Sequence, residues 1–127
     1  MTPALWLATV AVVLPYVVHL VVMVARARHS PDRRRPRALS SELTGWGERA
    51  WAAEQNAFEA AVPAAVVFII AHLVHTDSSW VWALGLGWTA ARIGHFGAYL
   101  SDRPLLRSSM FGLANLCLLG LMVAAAV

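Results

Sequence analysis

Between Ala4 and Ala25 the chain runs for 22 residues without a formal charge, interrupted only by Pro15 and His19. About 20 apolar residues in a helix cross a hydrocarbon core of about 30 Å, so this stretch reads as a first transmembrane helix. A cleaved signal peptide would begin with basic residues and carry an apolar region of about 7–15 residues, and this stretch has neither feature. Pro15 is expected to kink the helix, and His19 to be satisfied by helix packing rather than to act as a ligand. Composition extends the argument to the whole chain, which is 59% hydrophobic and 13% charged with a mean hydropathy of +0.61. A soluble domain has about 45–50% apolar and about 25% charged residues.

The expected fold class is therefore an all-α integral membrane protein, one domain of 127 residues built as a four-transmembrane-helix bundle. The helices are expected at about 4–26, 44–75, 79–100 and 105–126, the second capped by Ser41 or Thr44. Residues 27–43 read as a basic, solvated loop touching anionic headgroups: Arg26 to Leu43 holds six of the ten arginines. A nucleic-acid role would need aromatic residues interleaved with those charges, and they are missing. His75 to Ser79 reads as a turn without arginine, followed by Trp80 and Trp82 as an interfacial belt. Arginine bias then places the first and third loops in the cytoplasm and both termini on the opposite side, with a bacterial inner membrane as the expected location.

No metal-ligand cluster, phosphate loop or nucleophile elbow occurs, and the single Cys117 reads as a buried packing residue. The polar residues inside the apolar helices carry the functional expectation, because intramembrane charge is costly unless it is partnered. The uncharged part of the second helix, Ala60 to Val74, is only 15 residues. The membrane or the protein must therefore accommodate Asn56 and Glu59, which share a helical face with Arg49, Ala52 and Pro63. Trp51, Phe58 and Val62 lie on the other face, toward lipid or a neighbouring helix. In the third helix Arg92, His95 and Tyr99 fall on one face. Counted from the non-basic turn, Glu59, Arg92 and His95 lie at similar depths of roughly 20–24 Å. An interior cluster of Asn56, Glu59, Arg92 and His95 is expected, with Glu59–Arg92 as an ion pair pinning two helices and Tyr99 and Arg103 closer to the cytoplasm. Arg103 and Arg107 form a basic rim suited to a small carboxylate-bearing ligand. Asn115 is expected to make an interhelical hydrogen bond, and Ser108 either to cap the fourth helix or to donate to a bound anion.

The pattern Glu48–Arg49–Ala50–x–x–Ala53–x–x–Asn56–x–x–Glu59–x–x–x–Pro63, followed by Arg92–x–x–His95–x–x–x–Tyr99–Leu100 in a four-helix plan, resembles the membrane-associated proteins in eicosanoid and glutathione metabolism (MAPEG). The resemblance covers nearly the whole chain. It implies a homotrimer with glutathione bound between neighbouring subunits near the cytoplasmic side, and a lipophilic small-molecule substrate reaching it through membrane lipids. By motif position, Asn56, Glu59, Arg92, His95 and Tyr99 would bind glutathione or order its site, with Gln55 and Arg103 as further candidate binding residues beside them. Arg107, followed by Ser108, matches an arginine that favours the thiolate in several members. The implied activity is glutathione transfer or peroxide reduction. Arginines commonly stand in glutathione-using members where this chain has Ala52 and Gln55. That departure favours an alternative, a non-catalytic or differently liganded member in which Glu59–Arg92 is structural. A small four-helix drug–proton antiporter is a weaker alternative, since the first helix has no acid.

Overall fold

The computed structural model describes residues 1–30 and 34–127; residues 31–33 of the expected basic loop lie outside the described residues. Among the described residues five helices follow one another: α1 (Pro3–His29), α2 (Pro36–Ser41), α3 (Trp46–Leu73), α4 (Ser78–Leu100) and α5 (Pro104–Ala126). By length and composition α1, α3 and α5 can each cross a membrane, and the chain is an integral membrane protein. Of the four expected crossings, α4 alone falls outside that criterion. It is as long as α5, at 23 residues, but Arg92, His95 and four glycines dilute its apolar character.

Two local features differ from the sequence reading. The stretch read as a loop contains α2, whose Ser40 is buried and ties it to α1. The cap of α3 is neither Ser41 nor Thr44 but Gly45, at φ 60° and ψ −128°. Side chains rarely enter that backbone region, so only glycine makes this turn without strain. The bend sets Gly47 against α1, where an added β-carbon would come within 3.3 Å of Ala25 Cβ. At the other end Asp77 caps α4, accepting from the Ser79 hydroxyl and, at 2.8 Å, from Ser79 N. Those two bonds, the hydroxyl's first, hold its carboxyl below the usual carboxylate range.

One core joins the four long helices: Leu7 and Ala11 of α1, Phe68 and Ala71 of α3, Val81 and Trp88 of α4, and Leu118 and Leu121 of α5 all bury together. The start of α1 meets the end of α3, and the start of α4 meets the end of α5, so both pairs are antiparallel. Alanine dominates the buried side of α3, at positions 50, 53, 57, 61, 64 and 71. Short side chains there let α1 approach closely, as small residues do at membrane helix interfaces. Phe68 and Trp88 meet edge to face at 5.8 Å. The α3–α4 turn and both termini lie at one end of the bundle. At the other lie α2, the α4–α5 turn and, by sequence position, every described arginine except Arg92.

A β-carbon on Gly85 would run into the Leu7 side chain, which is itself 3% exposed, whereas one on Gly97 would meet nothing within 4 Å. Gly85→Val is expected to destabilise the bundle by roughly 1–3 kcal/mol through overpacking, read as a lower midpoint of thermal unfolding in detergent. Gly97→Ala should leave that midpoint unchanged or slightly raised.

Candidate functional site

Arg92 enters the bundle from α4 with only 5% of its surface exposed. Its Nη2 donates to the side-chain oxygen of Asn56 at 2.8 Å and to the Asn56 backbone carbonyl at 3.1 Å. The equal-depth expectation for α3 and α4 thus holds to within a helical turn, but the partner differs. Among the described residues no Glu59–Arg92 ion pair forms within 4.0 Å. At about 100° per residue Glu59 is turned about 60° from Asn56, away from the alanine stripe, and it is exposed. Glu59, Asn56 and Arg92 still border one cavity of about 240 Å³, with Trp88, Phe111 and Asn115. Asn115 is exposed and makes no hydrogen bond within the chain among the described residues, so the interhelical bond expected of it is not formed here.

Toward the basic end, α4 and α5 assemble a second group. His95, 4% exposed, donates from Nδ1 to the Arg107 carbonyl at 2.9 Å, which fixes its tautomer; its buried Nε2 has no hydrogen-bond partner among the described residues. The Tyr99 ring stands edge-on to His95 at 5.1 Å, and the Arg107 guanidinium lies over that ring at 4.7 Å. A guanidinium within about 6 Å of a ring face is held there by the ring quadrupole. No carboxylate of a described residue lies within 4.0 Å of Arg107. Its charge is positioned without being neutralised. Arg103 is exposed and supplies the N-cap of α5. Ser108 is exposed in the second turn of that helix, which removes the capping role considered for it.

Gln55 points elsewhere. It borders a larger cavity, about 720 Å³, between α1, α2 and α3, with Tyr16, Trp51 and Phe58 as aromatic walls and Arg37 at its rim. Within one chain, the predicted residues therefore divide between an α4–α5 side (His95, Tyr99, Arg107), a cavity where α3 meets α4 and α5 (Asn56, Glu59, Arg92) and this α1–α3 cavity (Gln55).

The α1–α3 cavity also holds an acid that the sequence reading passed over. Glu54 is 5% exposed and accepts from His19 Nδ1 at 2.6 Å, while Arg26 Nη2 stands 3.9 Å from its other oxygen. Arg26 in turn donates from Nε to Ser40 Oγ at 2.6 Å, and Ser40 donates to the Pro36 carbonyl at 3.0 Å. This chain links α3 through α1 to α2 and explains the buried Ser40. Glu54 could have been found from the sequence. It falls in phase with Ala50, Ala57 and Ala61, so once the alanine stripe is taken as the buried face the acid must lie inside it. Among the described residues no group of three metal-ligating side chains converges. Cys117 is buried in the core, as expected.

The model of the MAPEG family matches residues 3–127, essentially the whole chain, and the chain belongs to that family. No curated protein and no solved structure matches it.

The Glu54–His19 contact generates a test of what holds α1 to α3. His19→Leu leaves the buried carboxylate short of a partner and is expected to cost roughly 2–3 kcal/mol. That is less than the 3–5 of a fully buried pair, because about a third of the His19 side chain is exposed. The double variant His19→Leu/Glu54→Leu removes the stranded charge and should unfold at a higher temperature than His19→Leu alone; additive losses would contradict a direct coupling.

Proposed function

From MAPEG membership we propose that this chain is a membrane-embedded glutathione-dependent transferase or peroxidase acting on a lipophilic electrophile. The observation that carries the reading is Arg107: a guanidinium stacked on Tyr99, anchored through its own carbonyl to His95, and without a described acid beside it. A fixed cation lowers the pKa of a nearby thiol, and the thiolate is the reactive form. Glutathione would supply that nucleophilic sulfur. Arg107 would stabilise the sulfur's negative charge, Ser108 would offer a hydroxyl donor one residue further on, and Arg103 would meet a carboxylate at the rim. Glu59, exposed beside Arg92 and Asn56, would take the ammonium end.

A homotrimer fits the same residues. Gln55 and the α4–α5 group face different parts of one chain, so a single ligand touching both requires a second copy. The short turns on either side of α4, residues 74–77 and 101–103, support its crossing the membrane with the other three long helices. The arginine-rich end would then face the cytoplasm of a bacterial inner membrane, with both termini outside.

Ala52 and Gln55 favour a second reading, a non-catalytic or differently liganded member of the fold. Charge-assisted hydrogen bonds are each worth roughly 1.5–3 kcal/mol, and neutral residues at those positions provide none. Under that reading the buried Arg92 is a cross-link to Asn56 and nothing more.

Calorimetric titration of the purified protein with glutathione separates the two. The enzyme reading expects a dissociation constant in roughly the micromolar to low-millimolar range, weakened at least about tenfold by Arg107→Ala. Absence of binding at about 10 mM, a concentration at which a free energy of even about −3 kcal/mol would register, overturns it.

A further inference from the structure

We propose that the groove between α1 and α2 is a binding site for a phospholipid with a net-negative headgroup, an acyl chain lying in the groove and the phosphate on the arginines beside it. This goes beyond the proposed activity and does not depend on it. The groove has a volume of about 460 Å³; Leu20, Met23, Val24 and Ala27 of α1 form its floor, and Pro36 and Leu39 of α2 its opposite wall. Leu20, Met23 and Val24 are 47–59% exposed, so the floor is apolar surface that the rest of the chain leaves uncovered.

Depth and charge together name the occupant. Leu20 to Ala27 lie 17 to 24 residues beyond Pro3, roughly 26–36 Å along α1 at 1.5 Å per residue, so the groove straddles the edge of a hydrocarbon core of about 30 Å. An acyl chain meets its headgroup at that level. The wall is also where the chain is most basic. Exposed Arg35 and Arg37 bracket Pro36, outside the groove lining itself and with Arg37 also bordering the α1–α3 cavity, and residues 26–43 carry six arginines against the two acids Asp32 and Glu42 in sequence. Glu42 lies 3.9 Å from His29 and is not part of the groove. Arg26 lines the groove as well, but its Nε is engaged by Ser40 and its Nη2 faces Glu54, so it holds α2 in place. The chain has no lysine; its positive groups are planar guanidiniums, which match phosphate oxygens in paired hydrogen bonds. A zwitterionic headgroup offers the same phosphate but cancels its charge with its own cation, so the site discriminates by net charge.

Native mass spectrometry of the detergent-purified protein, titrated with dioleoyl phosphatidylglycerol or dioleoyl phosphatidylcholine, tests this. The site predicts phosphatidylglycerol adducts at lower lipid concentration, by on the order of 25-fold if each of two arginines contributes about fivefold. Arg35→Gln/Arg37→Gln should abolish that preference, and Val24→Trp, which fills the groove floor, should weaken both lipids while the protein keeps its thermal midpoint. Equal retention of the two lipids, or a preference that survives the arginine substitutions, overturns the proposal. So does displacement of phosphatidylglycerol by inorganic phosphate at matched concentration, which would mark a phosphate site without an acyl component. Unchanged lipid binding in Val24→Trp, or loss of a higher oligomer in that variant, would likewise remove the lipid from the groove, the latter by putting a second copy there.

Discussion

Burying Arg92 is the constraint on which the rest of the bundle depends. A guanidinium stays charged at any depth, and an isolated charge in an apolar interior is far more expensive than any single packing contact can offset. Asn56 meets that demand twice, with its side chain and with its backbone carbonyl. The carbonyl of a helical residue is already committed to its own ladder, so the second bond uses its spare lone pair. That double contact sets the rotation of α4 against α3. It also places Trp88, one turn away on α4, against Phe68, and carries His95 and Tyr99 to the α5 side, where Arg107 meets them. Glu54 does the corresponding work between α3 and α1. The two buried charges, one of each sign, lie on opposite sides of α3, and each is answered by a different helix.

Much of the architecture is legible in the sequence because the bilayer leaves few choices. The charge-free run from Ala4 to Ala25, the arginine-poor turn at 75–79 and the motif from Glu48 to Pro63 give the helix order and the family. Rotation was harder to read. Asn56 and Glu59 fall three residues apart, which looks like a shared face, yet about 60° of difference is enough to put Asn56 at the edge of the buried stripe and Glu59 outside it. Alanine was the neglected signal: it contributes little to a hydropathy profile but defines where α1 and α3 touch. Counting alanines at three- and four-residue spacing would have found the buried side of α3 and Glu54 within it. Gly45 was missed for another reason. Ser41 and Thr44 are good caps by residue type, whereas the turn into α3 is decided by a backbone conformation that only glycine adopts easily.

The candidate site divides into a part that holds helices together and a part left open. Arg92 and Glu54 spend their charge on intrachain partners. Arg107 lies over the Tyr99 ring with no described carboxylate within 4.0 Å, and the exposed Glu59 forms no ion pair among the described residues. The open charges are where chemistry would occur, and the satisfied ones are where the scaffold gets its rigidity.

The most direct test of the account is the ultraviolet absorbance of glutathione thiolate on the purified protein near neutral pH, for the wild type and for Arg107→Ala. The account predicts a thiolate signal that saturates with glutathione in the wild type, shows an apparent thiol pKa below that of free glutathione, and disappears in the variant. A signal identical in the two proteins, or none in either while glutathione is bound, would contradict the assignment of Arg107 as the group that holds the sulfur as an anion.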